Sequence, residues 1–164
     1  MKEIEQIPFL TRQECELVRN KVLGLLPAWR KLKWPGSRGK APFYILGYSI
    51  FSCRRNANRM REYRRGCSKL NPLLEQEFSW IYARLKKLLA RTLGAPVHFR
   101  KDASLPGFQI LLNHSAFVQL SGHWHVDLDS TLLKWKEPLD YSQIRAFTLP
   151  VTLPQCGGSV DYLN

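Results

Sequence analysis

From Gly122 to Asp129 the chain reads Gly-His-Trp-His-Val-Asp-Leu-Asp, with polar and apolar residues in strict alternation after the glycine. A period of two is the signature of a β-strand. It puts His123, His125, Asp127 and Asp129 on one face and Trp124, Val126 and Leu128 on the other. An imidazole and a carboxylate two residues apart on one strand face can reach a single ion. His125 and Asp127 are thus two-thirds of the two-histidine, one-carboxylate donor set, which holds Fe(II) and leaves positions open for a cosubstrate and dioxygen. The pattern is short: with 4 histidines and five aspartates in 164 residues, His-x-Asp arises by chance about 0.12 times per chain. A solvated polar strand face satisfies it equally well, so its surroundings must decide.

The other candidates have simpler readings beside the functional ones. His123 could replace a ligand in a His-x-His arrangement, or serve as a hydrogen-bonding residue at the rim. Asp129 could orient His123 or a main-chain amide, or be solvated. His98 and His114 stand at predicted strand ends as ordinary surface or core histidines. Trp124 and Trp135 read as packing residues.

Several elements must position this strand. Thr11-Arg12-Gln13-Glu14 is a capping box. Cys15, Val18, Val22, Leu25 and Leu26 follow it on one helical face, and Pro27 ends that helix. Trp29–Pro42, which contains WPGSRGKAP, reads as a loop, and Phe43–Phe51 as a strand with Gly47 inside it. The arginine-rich stretch that follows shows no clear apolar period. Asn71-Pro72 is an N-cap with proline at the first helical position. Leu74, Phe78, Ile81, Tyr82, Leu85, Leu88 and Leu89 then recur at helical spacing up to Gly94, which supplies the stop. Short strands are predicted at Val97–Phe99, Phe108–Leu112, Ala116–Leu120, His123–Asp129, Arg145–Val151 and Ser159–Leu163. Helices first and strands afterwards suggest an α+β protein.

From Pro42 onward the chain resembles bacterial Fe(II)/2-oxoglutarate-dependent oxygenases of the prolyl-hydroxylase-like type. The pieces that carry the resemblance are PFYILG at 42–47, NPLL at 71–74 with its amphipathic helix, LPGFQI at 105–110, HVDLD at 125–129 and FTLPVTLPQCGGSV at 147–160. They come in the family's order and cover about three-quarters of the chain, Met1–Ala41 matching only loosely. The resemblance implies that His125 and Asp127 are iron ligands, that 2-oxoglutarate is the cosubstrate, and that succinate and CO2 leave as an unidentified substrate is oxidised. That substrate could be a peptide side chain or a small molecule. The implied fold is a partial double-stranded β-helix, jelly-roll or cupin-like, braced by N-terminal helices. Residues 1–94 would pack on the barrel and 95–164 would form its first strands, all within one domain. The family's third ligand, a histidine, and its cosubstrate-binding basic residue lie beyond the Gly157-Gly158 turn. No histidine follows His125, so the expectation is a C-terminally truncated member, an oxygenase or a remnant of one.

Composition bounds the alternatives. Hydrophobic residues make up 45% and charged residues 23% of the 19.1 kDa chain, too apolar for intrinsic disorder. No stretch is long and apolar enough to span a bilayer, and the acidic start of MKEIEQIPFL argues against a secretory signal. Cys15, Cys53, Cys67 and Cys156 show no paired spacing, consistent with reduced thiols and a cytoplasmic location. The net charge of +12 attracts polyanions. Six arginines between Arg54 and Arg65 could track a phosphate backbone, with Tyr63 stacking on a base. The alternative function is therefore a non-catalytic, basic nucleic-acid-binding module; the simpler reading of that stretch is a solvated basic loop.

Overall fold

A computed structural model describes residues 6–33, 41–53, 58–117, 129–133, 135, 137–140, 142 and 144–154. Two compact units divide the chain: Met1–Leu26 with Arg145–Asn164, and Pro27–Ile144.

The first unit holds helix α1, Arg12–Gly24. Its start is set locally, as the sequence predicts. The Thr11 hydroxyl accepts from the Glu14 amide at 3.2 Å, and the Glu14 carboxylate accepts from the Thr11 amide at 2.8 Å. Val18 and Val22 are its buried residues. Arg145–Val151, predicted as a strand, is irregular, and most of its residues are exposed.

The second unit contains β1 (Arg30–Leu32), β2 (Phe43–Leu46), α2 (Arg59–Leu93) and β3 (Phe108–Leu111). The strands form one antiparallel sheet in the order β1-β2-β3, with Arg30 opposite Ile45 and Leu46 opposite Phe108. The chain is thus α+β, and the described residues form no double-stranded β-helix. β1 corrects the expectation of a loop over Trp29–Pro42. Its three residues become a strand by pairing with β2, a non-local partner that local composition does not reveal. β2 stops at Leu46 instead of running to Phe51 because Gly47 takes φ 127°, a conformation that side chains rarely adopt. A Cβ there would also stand 3.0 Å from the Gly107 Cα. Ile50–Cys53 then form a 3₁₀ turn.

The largest correction is α2, which spans 35 residues and begins at Arg59, a dozen before the predicted Asn71-Pro72 start. Tyr63, Cys67, Leu70 and Leu74 are all buried and recur at intervals of four, three and four. That apolar stripe runs straight into Phe78, Ile81 and Leu85. The arginine-rich stretch from Arg59 is therefore helical. Pro72, exposed inside the helix, is tolerated although it removes the amide that Ser68 would otherwise receive. The helical dihedrals break at Phe78 (φ −128°, ψ 18°), whose ring lies 4.6 Å from that of Phe108 on β3. Gly94 ends α2 in the left-handed region, as expected, with its amide donating to Ala90.

Of the later strands, Phe108–Leu111 forms as β3. Val97–Phe99 is irregular: the Phe99 ring packs edge-on against Tyr82, 5.5 Å away, so this segment follows the helix instead of pairing. Ser115–Phe117 and Asp129–Leu132 are 3₁₀ turns where Ala116 and Asp129 were expected in strands. The rest of those two strands, and all of Ser159–Leu163, lie outside the described residues. No helix among the described residues is long and apolar enough to cross a membrane.

Candidate functional site

His125 and Asp127, with His123 and Trp124, lie outside the described residues. Leu132 and Leu133, at the end of the Asp129–Leu132 turn, pack half-buried against a core cluster of Tyr48, Ile50, Cys53, Tyr63, Cys67 and Leu70. Leu132 and Leu133, five and six residues after Asp127, are therefore anchored on α2 and the turn after β2. His98 and His114 are exposed, the latter edge-on to Phe117 at 6.3 Å. Among the described residues no group of three or more His, Cys, Asp or Glu could hold a metal.

The best-defined polar construction is the grip of α2 on the LPGF segment. The Asn71 side chain donates to the Ala103 carbonyl at 2.9 Å and accepts from the Leu105 amide at 3.1 Å. The Ser104 amide donates to the Tyr63 hydroxyl at 2.7 Å, and the Tyr82 hydroxyl donates to the Pro106 carbonyl at 2.7 Å. Three side chains of one helix thus satisfy four successive residues of a segment that would otherwise expose its main chain. Gly107 follows, where a Cβ would stand 2.5 Å from the Leu46 carbonyl oxygen. Only glycine lets β3 begin so close to β2.

Next to this grip the Tyr48 ring lies against Gly66 of α2, with the Arg30 guanidinium 3.8 Å from its centroid. The Tyr48 hydroxyl donates to Glu62 at 3.1 Å and accepts a long contact from the Cys53 thiol at 3.8 Å. Burial raises the Tyr48 pKa, the Cys53 contact adds to this, and the Arg30 charge opposes it. Burial likewise pushes the Tyr63 hydroxyl up to about 12 and raises the Cys67 thiol. These groups stay neutral across the physiological range, so Tyr48, Tyr63 and Cys67 act as packing and hydrogen-bonding residues, not as nucleophiles. Tyr63 is only 3% exposed, which removes it as a platform for base stacking.

At the surface, Arg100 makes a two-point contact with Asp102, at 2.9 and 3.1 Å, and reaches Glu137 at 3.2 Å. Its guanidinium covers Trp135, 4.6 Å from the ring centroid. Trp135 is accordingly a packing residue, as predicted. The Arg100 hydrogen bond lowers the Asp102 pKa; a main-chain hydrogen bond, then Arg100, lowers that of Glu137. This network ties Trp135 and Glu137 to the turn at Arg100–Ala103, a second anchor downstream of the His-x-Asp pair.

The grip was not legible in the sequence. Asn71 before a proline carries the local signature of an N-cap, and nothing in its spacing announces a partner more than thirty residues away. No protein-family model, curated protein or solved structure matches the chain.

Proposed function

We propose that this chain is a non-haem Fe(II)/2-oxoglutarate-dependent oxygenase or a remnant of one, with His125 and Asp127 as iron ligands. The observation that carries the reading is the ordered series of five family-like pieces ending in His125-Val126-Asp127. Two features of the fold support it. PFYILG and LPGFQI, separated by about sixty residues, supply neighbouring strands β2 and β3, with Gly47 against Gly107. The helix that carries NPLL, α2, braces that sheet through Phe78 on Phe108. In this reading the sheet borders a double-stranded β-helix whose metal-bearing strand carries His125 and Asp127 and ends before the turn at Asp129.

His125 and Asp127 would supply two of the three donors that suit Fe(II), an imidazole and a carboxylate, and leave sites for a chelating 2-oxo acid. When bound, that pair supplies oxidative decarboxylation to succinate and CO2 coupled to hydroxylation of a substrate. The protein's part is positional. Asn71, Tyr63 and Tyr82 hold the LPGF segment rigidly on α2, and the two downstream anchors hold the segment after Asp127.

Titration calorimetry with Mn(II), alone and with 2-oxoglutarate, tests the assignment on the wild type and on Asp127→Ala. One Mn(II) per chain is expected, bound more tightly with 2-oxoglutarate present and at least tenfold more weakly by the variant. Equal binding by wild type and variant, or none by either, would refute it.

A further inference from the structure

We infer that the exposed N-terminal half of α2 is a binding surface for the phosphodiester backbone of nucleic acid, formed by Arg61, Arg65 and Lys69 with Arg64 at its side. The inference rests on no part of the metal reading. All four side chains are exposed. Arg61, Arg65 and Lys69 are spaced four residues apart, so they rise along one helix face over about 12 Å, the length of three to four phosphates of one duplex strand. Arg64, one turn from Arg61, lies near enough to Asp102 to lower its pKa. Arg61, Arg65 and Lys69 make no ion pair among the described residues. The carboxylate within this stretch, Glu62, is turned inward to accept from the Tyr48 hydroxyl. The stripe is interrupted at Pro72; over the next two turns the face carries Glu75, Gln76 and Ser79, and positive charge returns to it at Lys86 and Lys87.

A second observation is independent of the charge count. Cations in the first turns of a helix oppose its dipole, and like charges four residues apart repel. Arg59 and Arg61 share the first turn with Glu62, whose carboxylate accepts from Tyr48, and the pairs Arg61/Arg65 and Arg65/Lys69 are each four apart. A local rule broken at several adjacent positions marks a surface kept for a partner. The partner that relieves the repulsion is a linear polyanion.

The test compares Arg61→Gln/Arg65→Gln/Lys69→Gln with Lys86→Gln/Lys87→Gln/Arg91→Gln, which removes the same charge from the far half of the helix. Fluorescence anisotropy with a short labelled DNA duplex is followed across a salt series. The wild type should bind with a steep salt dependence. The first variant should lose at least tenfold in affinity, and its slope of log K against log salt should fall by about 2.7, at about 0.9 per phosphate contact. The second variant should stay within a factor of about three of wild type, the modest loss expected from long-range attraction alone. Thermal melting of the first variant should be unchanged or higher. Four results would overturn the inference: equal losses by the two variants, an unchanged slope, a lower melting temperature for the first variant, or wild-type binding to vesicles of anionic phospholipid without binding to the duplex.

Discussion

Gly66→Ala separates local from tertiary control of α2. Helix propensity alone makes the change stabilising by about 1 kcal/mol, because glycine costs that much in a helix interior. The fold argues the opposite. A methyl group at Gly66 would stand 2.1 Å from two ring carbons of Tyr48 and 2.5 Å from a third, where ordinary contact begins at 3.4 Å. The ring must therefore withdraw by the difference between 2.1 and 3.4 Å, or the helix must move away from it. Tyr48 is 9% exposed, held by Glu62 through its hydroxyl and covered by Arg30. Overpacking of this kind costs about 1–3 kcal/mol, and stretching the hydrogen bond to Glu62 adds about 1 kcal/mol. Set against the propensity gain, the net loss is about 1–3 kcal/mol. Near the middle of that range, a chain of this size should melt about 4–8 °C lower. Thermal unfolding followed by circular dichroism measures the change. In a Tyr48→Leu background the clash is absent, and the same substitution should become neutral or stabilising. If Gly66→Ala stabilises the otherwise wild-type chain, the packing of Tyr48 on α2 is wrong and the reasoning fails with it.

Two further outcomes follow from the grip on the LPGF segment. Asn71→Ala strands the Ala103 carbonyl and the Leu105 amide together and should destabilise by about 1–3 kcal/mol in denaturant unfolding; an effect below about 0.5 kcal/mol would deny the grip its structural role. Burial pushes Tyr63 up to about 12 and raises Tyr82, whereas an unfolded tyrosine ionises near 10. The unfolded chain therefore releases these protons first. Stability from this source is complete below about pH 10 and lost as pH rises through the folded values, at about 1.4 kcal/mol per pH unit for each proton. Tyr63→Phe should make the fall between pH 10 and 12 shallower, and an unchanged slope would show that Tyr63 ionises there equally in both states.

Elements whose determinants are local were legible in the sequence. The capping box at Thr11 and Glu14 closes within one turn, so residue type and spacing were sufficient to place the start of α1. Gly94 stops α2 because a left-handed residue is cheapest as glycine, whatever surrounds it. Phe43–Leu46 and Phe108–Leu111 announce themselves through β-branched and aromatic content, and the stripe from Leu74 to Leu85 through its period. His125 and Asp127 stand on one face of a predicted two-residue alternation that lies outside the described residues.

Tertiary structure decided the elements whose residues carry two local meanings. Asn71 before Pro72 spells a helix start. Yet its amide group is taken by Ala103 and Leu105, so it cannot cap, and the helix runs through it. The arginines from 59 to 65 look like a loop until Tyr63, Cys67 and Leu70 find a core to face, for burial of that stripe outweighs repulsion between exposed charges. Arg30–Leu32 has no strand signature of its own and becomes one because β2 offers it an open edge. In each case the deciding energy is a contact with residues distant in the chain. Local propensity is worth a few tenths of a kcal/mol per residue; a buried side chain or a satisfied pair of main-chain groups is worth one or more.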